Sequence, residues 1–78
     1  LDEELSQIYQ QYYAKLETKR QQQLQHAQSV WMTFRDLSCQ YEADYYQGGS
    51  LAPMVYSSCL KDKTIERIND LKNYIALY

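Results

Sequence analysis

The chain has few residues that interrupt a helix. Its 78 residues include one proline and two glycines, and the glycines are adjacent, at 48 and 49. A sheet protein of this length needs several turns marked by such residues, so their scarcity excludes an all-β reading. No run of about 18 apolar residues is present, which excludes a membrane-spanning helix in this chain. The opening LDEELSQIY is acidic where a signal peptide is basic and then apolar. If the protein is exported, its leader is expected to be already removed. Excess charge is also lacking, since 8 basic and 10 acidic side chains leave −2. A nucleic-acid partner, which demands many neutralised phosphates, is therefore not expected. The single histidine, His26, sits among glutamines. No nucleophile beside a base and no set of metal ligands can be read from this sequence, so we expect no enzyme, metal or cofactor.

What is present is a set of good helix formers, Gln, Glu, Lys, Leu and Ala, in long stretches. The expected class is all-α: a three-helix antiparallel bundle in one domain, 1–78, with helices over about 2–16, 18–47 and 51–77. In the first, Leu5, Ile8, Tyr9, Tyr12 and Leu16 recur at steps of three and four. Asp2, Glu3 and Glu4 suit the positive end of its dipole. Thr18 with Gln21 has the form of a capping box opening the second helix. There the stripe Leu24, Ala27, Trp31, Phe34, Ser38, Tyr41 and Tyr45 reads as a packing seam. The glutamines Gln21 to Gln23, with Gln25 and Gln28, read as its solvated face. Gly48-Gly49 permits the positive dihedrals that end a helix, and Ser50 is placed to cap the third. That helix carries Tyr56, Leu60, Thr64, Ile68, Leu71, Ile75 and Tyr78 at helical spacing, and Lys61-Asp62-Lys63 could mark a kink.

The two cysteines stand at 39 and 59, and the midpoint between them is Gly49. If the second and third helices fold back about that point, residue j lies level with residue 98 − j. Cys39 then meets Cys59, Phe34 meets Thr64, Val30 meets Ile68 and Ala27 meets Leu71. Helix axes about 9 Å apart, with Cα radii of about 2.3 Å, bring facing Cα atoms to roughly 4.5–6 Å, which is disulfide range. The other reading is two free buried thiols in a reducing compartment. The level pairing favours the disulfide, and with it an oxidising compartment. Such a staple would matter in so short a chain, where one core supplies little stability.

Arg35 lies on the Cys39 side of Trp31, while Phe34 and Tyr41 lie on the other. Arg35 is thus expected to face the third helix, bonded to a carboxylate such as Glu42 or to a ligand. The first helix is then expected to cover Val30, Phe34 and Tyr41, with Trp31 in the core. Charge is segregated along the chain. Residues 36–60 hold three acids, Asp36, Glu42 and Asp44, and no base. Tyr41, Tyr45, Tyr46 and Tyr56 accompany them, and tyrosine is favoured at binding surfaces. This arm reads either as a solvated helix end over a thin core or as a binding element.

The pattern Trp31-x-x-Phe34-Arg35-Asp36-x-x-Cys39, then Gly48-Gly49-Ser50, then Cys59-Leu60, Thr64 and Arg67, with Asp2-x-x-Leu5-x-x-x-Tyr9 upstream, resembles the N-terminal domain family of LprI-type lysozyme inhibitors. The resemblance spans nearly the whole chain. It implies a small exported bacterial protein, periplasmic or secreted, in which Trp31, Phe34, Arg35, Asp36, Thr64 and Arg67 form a structural signature. Members of that family commonly carry a further cysteine before the segment that begins here at Leu1, and this sequence departs from them in having none there. The activity it implies is lysozyme inhibition, with a cationic lysozyme as protein partner. Glu42, Asp44, Tyr45, Tyr46, Gly48, Gly49 and Ser50 are the candidate docking residues. The other expectation is an envelope-assembly module whose tyrosine-rich faces pair with another protein or with a second copy.

Overall fold

The computed structural model describes residues 1–46 and 49–78. It contains three helices, α1 (Asp2–Ala14), α2 (Thr18–Asp44) and α3 (Leu51–Leu77). α3 packs against both others, and α1 rests chiefly on α3. The expected all-α architecture with a long helical hairpin is present. Cys39 and Cys59 form a disulfide across it, with Cα atoms 5.4 Å apart. The molecule is a rod of 47 × 18 × 18 Å.

The elongation follows from unequal helix lengths. At 1.5 Å per residue, α1 is about 20 Å long and the 27-residue helices about 40 Å. α1 therefore reaches only the base of the hairpin. The core lies there: Leu5, Tyr12, Leu24, Ile68 and Leu71 are buried, with Ile8, Tyr9, Tyr13, Leu16, Trp31, Tyr74 and Ile75 packed around them. Beyond the level of Arg35 the hairpin continues as two helices. On this arm, from Asp36 to Leu60, the buried described residues are Cys39, Ala43 and Cys59.

Several local expectations are corrected. α1 ends at Ala14 rather than Leu16, because Lys15 and Leu16 turn their amides back to the Tyr12 and Tyr13 carbonyls. The Thr18–Gln21 capping box does not form: Glu17 is the N-cap, and no side chain caps the helix. Gln21 instead donates its Nε2–H to the Tyr13 carbonyl at 2.9 Å, a second bond on an oxygen that already accepts from the Leu16 amide at the end of α1. α2 ends at Asp44, where Tyr45 and Tyr46 fold back onto the Glu42 and Ala43 carbonyls. The expected end at Gln47 lies outside the described residues, as does Gly48. Ser50 occupies the N-cap of α3 without a side-chain bond. Gly49 has no left-handed φ, and a Cβ there would meet the Tyr46 carbonyl oxygen at an ordinary 3.4 Å. α3 runs unbroken through Lys61-Asp62-Lys63.

The larger correction concerns the seam of α2. Val30, Phe34, Tyr41 and Tyr45 are exposed, not covered by α1. The face turned inward carries Leu24, Gln28, Trp31, Arg35, Cys39 and Ala43. At 100° per residue, Cys39 lies about 140° from Phe34 and 160° from Tyr41. A helix that turns Cys39 toward its partner must turn those aromatics away. α1, near Gln28, Met32 and Arg35, settles on the opposite side from the one expected and is too short to reach further.

Candidate functional site

Trp31, Arg35, Asp36, Thr64 and Arg67 gather where the three helices meet. Arg35 and Arg67 both place their guanidinium groups over the Trp31 ring, 5.2 and 5.7 Å from its centroid. Arg67, buried on α3, also lies 5.8 Å from the Tyr74 ring. Its Nε donates to Gln28 Oε1 at 2.9 Å, and its Nη2 has no protein partner. Arg35 does not pair with Glu42; its Nε and Nη2 each lie 3.0 Å from Asp36 Oδ1. Thr64 is buried, with its hydroxyl donating to the Leu60 carbonyl at 2.7 Å. Phe34 stands outside this group on the open face, with Lys63 Nζ 5.9 Å from its ring. Burial raises the Tyr9 pKa, Tyr13 adds to the rise, and Arg67 works against it.

This junction is a structural centre. A buried arginine with no buried carboxylate must satisfy its donors through neutral acceptors and aromatic faces. Gln28 supplies the acceptor, so Gln28→Ala is expected to cost about 1–3 kcal/mol of stability. Gln25→Ala, on the solvated side, should change stability by less than about 0.5 kcal/mol. Urea denaturation of the two variants measures the difference. Placing Gln28 in a merely solvated face was therefore wrong. Its spacing was the available signal, since Leu24, Gln28, Trp31 and Arg35 recur at four, three and four residues.

The arm presents a different surface. Tyr41, Glu42, Asp44, Tyr45, Tyr46 and Val55 surround an open cleft of about 520 Å³. Tyr45 and Tyr46 meet edge to face, with centroids 5.1 Å apart. Asp44 accepts a 2.7 Å hydrogen bond from Gln40 Nε2. Glu42 Oε2 lies 3.5 Å from the Cys59 sulfur, a contact rather than a hydrogen bond because a disulfide sulfur carries no proton. Six of the seven candidate docking residues, Glu42, Asp44, Tyr45, Tyr46, Gly49 and Ser50, thus lie on or next to one exposed end, and the seventh, Gly48, lies outside the described residues.

His26 is exposed, and both cysteines are bonded to each other. Among the described residues no group of three His, Cys, Asp or Glu side chains is placed to hold a metal ion. None of the described helices is long and apolar enough to cross a membrane. These features define a small all-α protein: a disulfide-stapled helical hairpin, braced at its base and open at its acidic end. The chain belongs to the lysozyme inhibitor LprI family, whose pattern it matches over residues 1–71. It is also 37% identical over 71 residues to an uncharacterized protein of Rhizobium meliloti (strain 1021). That match covers 91% of this chain and 48% of the relative, so the chain spans about half of that relative's length. No solved structure matches it.

Proposed function

We propose that the protein is an exported, non-enzymatic inhibitor that docks its acidic arm on a cationic lysozyme. The observation that carries this reading is the arm itself, where acids and exposed tyrosines share one cleft at the end of a stapled projection. Family membership supports the kind of target. The disulfide supports a periplasmic or secreted location, because such bonds persist in oxidising compartments.

The mechanism is steric and electrostatic. Glu42 and Asp44 steer the arm toward a cationic surface, while Asp36 is paired with Arg35. Tyr45 and Tyr46 then supply contact area at low entropic cost. The tip around Gly49 and Ser50 enters the substrate cleft and blocks it.

The test reverses the arm's charge. In the Glu42→Lys/Asp44→Lys variant, folding should be nearly unchanged, since both side chains are exposed and neither pairs with Arg35. Association with a cationic lysozyme at low salt should slow by about tenfold or more, with the gap closing as salt rises. Undiminished inhibition by the folded variant overturns the acidic-arm mechanism. A parent protein that inhibits no lysozyme overturns the reading as a whole. The second reading, an envelope-assembly module, is favoured by the apolar stripe left open on α2.

A further inference from the structure

Val30, Phe34, Leu37, Tyr41 and Tyr45 are 56, 58, 67, 82 and 84% exposed. At 100° per residue they fall within an arc of about 80° on α2 and its C-cap Tyr45, whose backbone stays right-handed helical, over about 22 Å. Cys39 lies about 160° from the centre of that arc, so the stripe occupies the face opposite the disulfide. At 150–250 Å² per aromatic side chain, the five residues present roughly 600 Å². That is at the upper end of what a monomer leaves bare. Two such stripes together offer roughly 1,200 Å², the lower bound of a specific interface.

The stripe is complementary to itself. Set against a second α2 running the other way, with the dyad between Leu37 and Ser38, residue j comes level with residue 75 − j. Val30 then meets Tyr45, Phe34 meets Tyr41, and the two Leu37 side chains meet beside the axis. The Val30–Tyr45 and Phe34–Tyr41 pairs each set an aromatic ring against an apolar partner and occur twice, and the Leu37 pair occurs once beside the axis, as an isologous interface requires. The charges agree with this register. No charged side chain lies inside the arc, and Asp44 at its edge comes level with the stretch between Val30 and Thr33, away from the other copy's acids. Lys63, over the Phe34 ring, comes beside the second copy's Tyr41 and its acidic arm. We propose that the protein forms an antiparallel homodimer through this stripe, with Leu37 at the dyad. Tyr41 and Tyr45 belong to both this surface and the arm's cleft, so self-pairing and docking compete.

Sedimentation of the purified protein tests the pairing without any lysozyme, so its failure leaves the inhibitor reading untouched. The wild type should pass from monomer to dimer with rising concentration, reaching dimer by about 100 µM, as expected of a small interface. Leu37→Glu, which sets two like charges at the dyad on an exposed position, should weaken the dimer tenfold or more while leaving the melting curve unchanged. A wild type that stays monomeric to about 500 µM, well past that range, overturns the proposal. So does a Leu37→Glu variant that pairs as well as its parent. Register is tested with a short bismaleimide, which leaves the native disulfide intact. A mixture of Val30→Cys and Tyr45→Cys should cross-link into a heterodimer, and Val30→Cys alone should not. Efficient cross-linking of Val30→Cys to itself would mean parallel pairing and overturn the antiparallel dimer.

Discussion

Replacing Cys39 and Cys59 together with serine is expected to lower the melting temperature by well over 10 °C. Closing a loop of about 20 residues stabilises the folded state by about 3 kcal/mol on the chain-entropy model. In a domain this small, each kcal/mol corresponds to roughly 4–8 °C. The structure adds where the loss should appear. The arm beyond α1 buries only Cys39, Ala43 and Cys59 among its described residues, so little else holds its two helices together. In the serine variant, amide protons of residues 37–46 and 51–60 should exchange far faster than those around Leu24 and Leu71. A melting curve and an exchange pattern like those of the parent would contradict the staple's role.

Leu71→Ala is expected to leave much of the protein unfolded at 25 °C. Leu71 is 0% exposed, in the cluster with Leu5, Tyr12, Leu24 and Ile68. A buried leucine truncated to alanine costs about 2–5 kcal/mol, and so small a core supplies little more than that in total. Leu71→Met, which nearly conserves volume, should cost less than about 1.5 kcal/mol. Leu77→Ala, on an exposed residue near the chain's end, should change stability by less than about 0.5 kcal/mol. Urea denaturation ranks the three. A Leu71→Ala protein as stable as Leu77→Ala would mean the core lies elsewhere.

The acidic arm and the apolar stripe differ in how legible they were. Asp36, Glu42 and Asp44 stand in a segment with no base, and composition alone exposes that. The stripe was hidden because Phe34, Tyr41 and Tyr45 keep the same heptad spacing as Leu24 and Trp31. Periodicity reports that a face is apolar and does not report whether another helix covers it. Lys63 over Phe34, Gln28 on Arg67 and Glu42 against the disulfide each join different helices, and such contacts leave no pattern in the chain.

The sequence by itself determined the helical class, because helix formers run almost without interruption on either side of one Gly-Gly. It also favoured the disulfide over two free thiols, because two cysteines equidistant from the Gly-Gly come level when the helices fold back, and the structure shows the bond. Tertiary structure alone decided which side of α2 is covered. The disulfide fixes the rotation of α2 by turning Cys39 toward α3, and the length of α1 limits cover to the base of the hairpin. With those two constraints acting together, half of an apparently continuous seam faces solvent, and the surfaces proposed for docking and self-pairing lie on that uncovered half.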